Sequence, residues 1–185
     1  AAVFRTEFLK SRLCIALSAV LLAIFSAANL FDNSDFVIWS PYQKLAFQPT
    51  DISPGARQIL VNNVGYQTIL DLSPKNISSH PEVFEPAIQR ISHYEIPYRF
   101  FPEAKRVLIL GAGTGNDAAG ALRNNVDEVV AVDIDPVIIQ IGKSEHQEHP
   151  YTSPHVRIVN DDARRFLSTS SEKFDLVIFG LLDAH

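Results

Sequence analysis

One feature limits this chain more than any other: a glycine-rich turn held between a wholly apolar run and an alanine-rich one. Val107-Leu108-Ile109-Leu110 leads directly into Gly111-Ala112-Gly113-Thr114-Gly115-Asn116-Asp117, and Asp117 to Arg123 continues as a helical segment. A short, unbroken apolar run suits a central strand of a parallel sheet, whose two faces are both covered. Glycines after such a strand let the backbone turn tightly and approach a ligand closely. The helix beyond presents unpaired N–H groups to polar or anionic ligand atoms. A turn of this kind also occurs without a ligand, so its surroundings decide its meaning.

Those surroundings repeat the pattern. Glu128 to Val132 reads as a second strand, and Asp135-Pro136 as an N-cap with proline at the first helical position of a helix reaching about His146. Val156 to Val159 is a third strand, Ala163 to Leu167 a short helix and Phe174 to Phe179 a fourth strand. The alternation predicts an α/β fold with a parallel sheet and right-handed crossovers.

Polar signals fall at three consecutive strand ends and point to one crevice. After the glycine turn comes Asp133, where a carboxylate can accept hydrogen bonds from ribose hydroxyls. Asp162 can accept from an exocyclic adenine amine, and Ala163 leaves room for the ring. The bland alternatives are a solvated acid or a cap shared with Asp135 for Asp133, and a helix N-cap by Asp161 or Asp162, which can coexist with binding. Gly115 comes one position earlier than the third glycine of a dinucleotide turn, and Asn116 takes that place, which favours an S-adenosyl ligand over NAD.

Upstream, Leu13 to Phe31 is an uncharged run of 19 residues preceded by Arg5, Lys10 and Arg12. As a helix it would be roughly 28 Å long, close to a bilayer core, and Phe31, Phe36, Trp39 and Tyr42 follow as an interfacial belt would. A signal peptide ending near Ser26-Ala27-Ala28 and a buried soluble helix are the other readings. Pro41 to Leu72 reads as a small β unit: Gln43 to Phe47, then Gln58 to Val61 and Tyr66 to Leu72 joined by a turn at Asn62-Asn63-Val64-Gly65. Ser73 to Pro81 reads as a loop, Glu82 to Ser92 as a helix, and Pro97 and Pro102 as breaks.

The net charge of -5 and pI near 5.6 argue against a nucleic-acid surface. The single cysteine, Cys14, excludes an intrachain disulfide. His146 and His149 share a helical spacing, but no third ligand stands near them in sequence, so no metal is expected. The sequence contains no methionine and stops at His185 after a strand-like run, which reads as a fragment cut at both ends.

RVLILGAGTGNDAAGALRNNVDEVVAVDIDP and HVRIVNDDARRFL resemble the nucleoside-binding motifs of the spermidine/spermine synthase (polyamine aminopropyltransferase) family. FDLVIFGLLDAH resembles that family's active-site strand, and SPYQKLAF and ILVNNVGYQTIL its N-terminal β unit. Ordinary methyltransferases commonly carry an acid two residues before the first glycine; Ile109 stands there, as in polyamine synthases. The resemblance implies a Rossmann-like class I methyltransferase fold, here a partial parallel sheet preceded by the β-hairpin unit and an apolar helix. It implies that Gly111, Gly113, Gly115 and Asp117 line the nucleoside, that Asp133 holds ribose and Asp162 with Ala163 adenine, and that Gln67 closes over the ligand. Asp183 matches the second acid of the family's D-x-x-D motif and is the expected catalytic residue, with His185 a further candidate base.

The chain departs from the family at three places. Gly180 stands where the first acid of that motif, the proposed amine base, belongs; Thr114 replaces the acid of the glycine loop; and a Tyr-His-Glu triple is not found. The departures fall on acceptor and aminopropyl recognition, and they predict a poor aminopropyl transferase with a less cationic acceptor. The expected organisation is a membrane-helix segment over 1–39, a β unit over 40–81, a connecting helix and linker over 82–105, and a nucleoside-binding half over 106–185. The expected protein is a transferase attached through residues 13–31 to a bacterial inner membrane, with its α/β domain cytoplasmic and a homodimer as a further expectation. It would use S-adenosylmethionine or its decarboxylated form and a small-molecule acceptor, an amine or another nucleophile. A methyltransferase and a non-catalytic nucleoside-binding module are the alternatives.

Overall fold

The structure is a computed structural model that describes residue 12 and residues 14–24, 36–84 and 92–180. The chain divides into two compact units, residues 1–34 and 35–185. In the first, residues 14–24 form a helix, α1. Leu13 and residues 25–31 of the apolar run lie outside the described residues. The described stretch of α1 is roughly 16 Å long, about half a bilayer core. Among the described residues no helix is long and apolar enough to cross a membrane. This overturns the expected inner-membrane location, while the membrane contact expected through residues 13–31 lies partly outside the described residues.

The second unit opens with an antiparallel sheet in the order β1-β2-β3-β4, formed by Phe36–Trp39, Lys44–Pro49, Arg57–Val61 and Val64–Ile69. Phe36 and Trp39, read from the sequence as a membrane belt, are instead the ends of an edge strand paired with Phe47 and Lys44. The β3–β4 turn is tighter than expected, because Val64 and Gly65 already belong to β4. Asn62 and Asn63 carry it at φ 49° and 67°, the paired positive angles of a two-residue hairpin that asparagine tolerates.

Two short helices replace expected irregular segments. Pro74–Ser79 forms α2, capped by the Ser73 side chain with Pro74 in the first turn. Ile96–Phe100 forms α3, where Pro97 sits in the first turn and so breaks no helical hydrogen bond. Of the helix expected over Glu82 to Ser92, residues 85–91 lie outside the described residues, and Glu82, Val83 and Phe84 are not helical.

Sheet two is parallel, in the order β7-β6-β5-β8. Its strands are β5 (Arg106–Leu110), β6 (Glu128–Asp133), β7 (Val156–Asn160) and β8 (Leu176–Phe179), with helices α4 (Asn116–Arg123), α5 (Pro136–Glu145) and α6 (Ala163–Thr169) between them. Alternate residues serve opposite faces. Val107, Ile109, Val129 and Ala131 pack with Ala118 and Ala121 of α4. Leu108, Leu110, Val130 and Val132 pack with Phe166 of α6. Leu45, Phe47, Ile59 and Ile69 of the antiparallel sheet bury Ile138 and Ile141 of α5, which brings the β unit against the parallel-sheet half.

Candidate active site

The glycine turn leaves β5 with Gly111, Gly113 and Gly115 at φ 71°, 56° and 103°. Angles of this sign cost an L side chain strain and cost glycine little. The N–H groups of Gly111 and Ala112 both donate to the Val132 carbonyl, at 2.9 and 3.0 Å. The end of β6 thus holds the start of the turn.

Asp133 ends β6 and is buried. Its Oδ2 accepts from the Gly113 N–H at 2.7 Å and its Oδ1 from the Asp135 N–H at 2.9 Å. Burial pushes its carboxyl upward, opposed by those backbone donors. Two carboxylate oxygens offer about four acceptor sites, so these bonds leave capacity for ribose hydroxyls. Asp135 keeps a separate task, capping α5 through the Val137 N–H at 2.9 Å.

Gln67 reaches the turn from β4. Its Oε1 accepts from both the N–H and the hydroxyl of Thr114, each at 3.1 Å. A Cβ added to Gly113 would collide with this carboxamide. Asn116 ties the same strand down: its Nδ2 donates to the Thr68 carbonyl at 2.7 Å and to the Tyr94 hydroxyl at 2.9 Å, while its Oδ1 accepts from the Leu70 N–H at 3.2 Å.

Asp162 caps α6, its Oδ1 accepting from the N–H groups of Arg164 and Arg165 at 2.9 and 3.0 Å. Ala163 follows it and packs, partly buried, against the core cluster that contains Val130, Val132 and Phe166. The Asp161 N–H donates to the Asp133 carbonyl at 3.1 Å, which sets the Asp162 cap beside Asp133. Asp117 stands apart from these bonds, in the first turn of α4, where burial raises its carboxyl to about 6. Asp183 and His185 lie outside the described residues.

Beneath the turn lies a residue the sequence did not single out. Tyr151 is buried, and its hydroxyl donates to the carbonyls of Ala112 and Gly113 at 3.1 and 2.7 Å. Asn116 was read only for its spacing, although it carries two bonds that join the β unit to α4 and a third to Tyr94. Neither role has a periodic signature, because both are made by single side chains across the fold.

A seam of charge closes the far side. Arg123 donates to Glu95 at 2.7 Å and to both oxygens of Glu148 at 2.6 Å, and Glu148 Oε1 also accepts from the Leu72 N–H at 3.0 Å. His146, completely buried, accepts from the Glu148 N–H through Nδ1. Burial, reinforced by Arg123, lowers its imidazole to about 4. Among the described residues no cluster of three or more His, Cys, Asp or Glu fits a metal ion.

A family model described as spermine/spermidine synthase domain matches residues 89–185, just over half of the chain. A polyamine aminopropyltransferase of Sulfurisphaera tokodaii is 35% identical over 83 residues, covering 43% of this chain and 28% of that protein. Polyamine aminopropyltransferase 1 of Pseudomonas aeruginosa is 30% identical over 87 residues, covering 45% and 30%. The chain therefore spans less than a third of the length of these relatives. Spermidine synthase from Thermotoga maritima superposes with a TM-score of 0.58 at 18% identity, over 82% of this chain and 49% of that one. A spermidine synthase in complex with the transition-state analogue AdoDATO gives 0.55 at 18% identity, over 79% and 48%. The fold is shared with these structures.

Proposed function

The chain belongs to the spermine/spermidine synthase domain family, and on that premise we propose that it forms the nucleoside-binding part of a group transferase. The donor is decarboxylated S-adenosylmethionine or S-adenosylmethionine itself, and the acceptor is a small nucleophile. The relatives named above are aminopropyltransferases, and one spermidine synthase holds AdoDATO. The observation that carries the reading is the buried Asp133 carboxylate joined to the Gly113 N–H at the carboxyl end of β6.

The residues fit such a ligand. Gly113, having no Cβ, lets the Gln67 carboxamide sit directly on the turn. Asp133 has acceptor capacity for the ribose, and the second oxygen of Asp162 for the adenine amine. Bound there, the cofactor supplies a carbon made electrophilic by its sulfonium. The protein's part is to hold that carbon in line with the nucleophile, to exclude water and to take the nucleophile's proton. Asp183 is proposed for that last task.

The acceptor is proposed to be less cationic than a polyamine. Gly180 donates its N–H to the Leu110 carbonyl at 2.8 Å, and a Cβ built on it would fall against the Gly111 carbonyl oxygen, far inside van der Waals contact. An acid at 180 would require the glycine turn to move. Thr114, fully buried and bonded to Gln67, brings no charge to the loop either.

In the full-length protein, Asp133→Ala should cost about 1.5–3 kcal/mol of S-adenosyl-nucleoside affinity by calorimetry, the scale for hydrogen bonds to a charged group. Unchanged affinity in a folded variant would reject Asp133 as the ribose acid. Product formation from decarboxylated S-adenosylmethionine with putrescine or spermidine should be poor beside an authentic synthase. Comparable turnover would show that another residue replaces the missing acid.

A further inference from the structure

Resting on the nucleoside-binding reading, the geometry points to Tyr151 as a positioning residue that aims the Thr114 N–H into the nucleoside cleft. Tyr151 lies in the short 3-10 turn Pro150–Thr152, between α5 and β7. Its hydroxyl has one proton to give. At 2.7 Å the Gly113 carbonyl takes the main share, with Ala112 at 3.1 Å on the side. Its ring is wedged between two glycines. A Cβ on Gly115 would lie 3.3 Å from Cε1, and one on Gly142 only 2.8 Å from Cε2.

The consequence follows from one peptide group. The Gly113 carbonyl and the Thr114 N–H belong to the same peptide unit, and no cis peptide bond occurs among the described residues. In a trans peptide the C=O and N–H point in opposite directions. Drawing the carbonyl down onto Tyr151 therefore turns the N–H up. There it meets the Oε1 of Gln67 at 3.1 Å, the side from which the β unit covers the turn. On the preceding peptide, Asp133 takes the Gly113 N–H. Two buried side chains thus hold two successive peptide planes whose glycine, at φ 56°, has no side chain to resist rotation.

Burial keeps the phenol protonated far above its ordinary range, so it remains a donor at any pH the fold tolerates. Without the hydroxyl, the Gly113–Thr114 peptide loses its hold at the carbonyl and keeps the Gln67 contact at the N–H. Tyr98 provides a contrast: it is also buried, but its hydroxyl has no hydrogen-bond partner among the described residues.

The test uses the full-length protein, 5′-methylthioadenosine as probe, and the variants Tyr151→Phe and Tyr98→Phe. Tyr151→Phe should weaken probe binding about tenfold, the loss of roughly one net hydrogen bond, while Tyr98→Phe leaves it within twofold. With threonine labelled by 15N, the Thr114 amide resonance should move on probe addition in the wild type and be displaced or broadened in Tyr151→Phe before any probe is added. A merely structural role would lower stability without moving that resonance. If the wild type binds the probe and Tyr151→Phe binds it equally well, the positioning role is wrong. If the wild type does not bind the probe, the nucleoside reading fails instead. Should Tyr151→Phe not fold, the wild-type titration decides alone: an unmoved Thr114 amide overturns the inference and a shifted one supports it.

Discussion

The parallel sheet buries β5 and most of β6 on both faces, whereas β1 of the antiparallel sheet is exposed along its whole length. The parallel half is held by continuous packing, and its candidate ligand groups sit at strand ends that the packing already places. The β unit buries one face on α5 and is otherwise joined to the site by single side chains, notably Gln67, Asn116 and Glu148. Precision at the turn therefore depends on two unlike supports: a core that tolerates conservative change, and a seam of individual bonds that does not.

The largest expected effect lies in that seam. Arg123 joins Glu95 and Glu148 with side-chain exposures of 11 to 20%. Removing one partner of such a set leaves uncompensated buried charge, a loss of about 3–5 kcal/mol. Arg106, at the start of β5, also pairs with two glutamates, but at exposures of 30 to 42%, where solvent screening leaves an ion pair little net effect. Denaturant unfolding of the full-length protein should show Arg123→Ala losing at least twice what Arg106→Ala loses. Equal losses would erase the distinction between seam and core.

This contrast also explains what the sequence reveals and what it hides. The parallel half is legible because burial writes itself as apolar runs: Val107 to Leu110 and Glu128 to Val132 lie within the strands they predict. Asp133 and Asp162 stand out in the sequence as carboxylates at strand ends, and both also have structural partners, Asp133 the Gly113 N–H and Asp162 the first turn of α6. The α2 helix was missed although Ser73-Pro74 is an N-cap followed by a first-turn proline, because six residues show no apolar period. Trp39 was misread because an exposed edge strand and an interfacial belt share the same aromatic composition. The expected Tyr-His-Glu order is absent, yet His93-Tyr94-Glu95 holds the same residue types, with Tyr94 on Asn116 and Glu95 on Arg123. Tyr151 has no sequence signal at all, since its partners are backbone carbonyls 38 and 39 positions away.

A smaller effect separates the two supports by pH. His146, in the seam, has its imidazole lowered from 6.5 to about 4. Its contribution to stability is present above pH 6.5 and is lost as pH falls toward 4, because the unfolded chain takes the proton first. Asp117, beside the turn, is raised from 3.8 to about 6. Its sign is opposite: the folded state takes the proton first, so its ionisation costs stability above pH 6 and is relieved as pH falls toward 4. Each effect is on the order of 2–3 kcal/mol before discounting, and Asp117, being partly exposed, carries the smaller. In the wild type the two slopes largely cancel between pH 4 and 6. Asp117→Asn should gain about 1–2 kcal/mol at pH 7 and lose stability steadily on acidification. His146→Asn, which keeps an acceptor for the Glu148 N–H, should be steadied by the same acidification. Parallel pH profiles for both variants would refute the opposition.

The smallest expected effect belongs to Gln67, where the β unit touches the turn. Its carboxamide oxygen takes two donors from Thr114, and Thr114 is fully buried. Gln67→Ala therefore leaves two donors in search of an acceptor, but on the side of the turn that a ligand or water reaches. The net loss in the ligand-free protein should be about 1 kcal/mol. Binding adds two opposed contributions. A ligand oxygen that takes the Thr114 N–H must first displace Gln67, so removing Gln67 favours binding. Once displaced, the carboxamide can close over the ligand with one acceptor and two donors, so removing it disfavours binding. Closure over the ligand predicts that the second contribution is larger, with 5′-methylthioadenosine affinity falling by about 0.5–1 kcal/mol. Calorimetry on the full-length variant reads the sign directly. Tighter binding would mean that Gln67 only competes for the Thr114 N–H, and the β unit would then be a brake on the site rather than a cover for it.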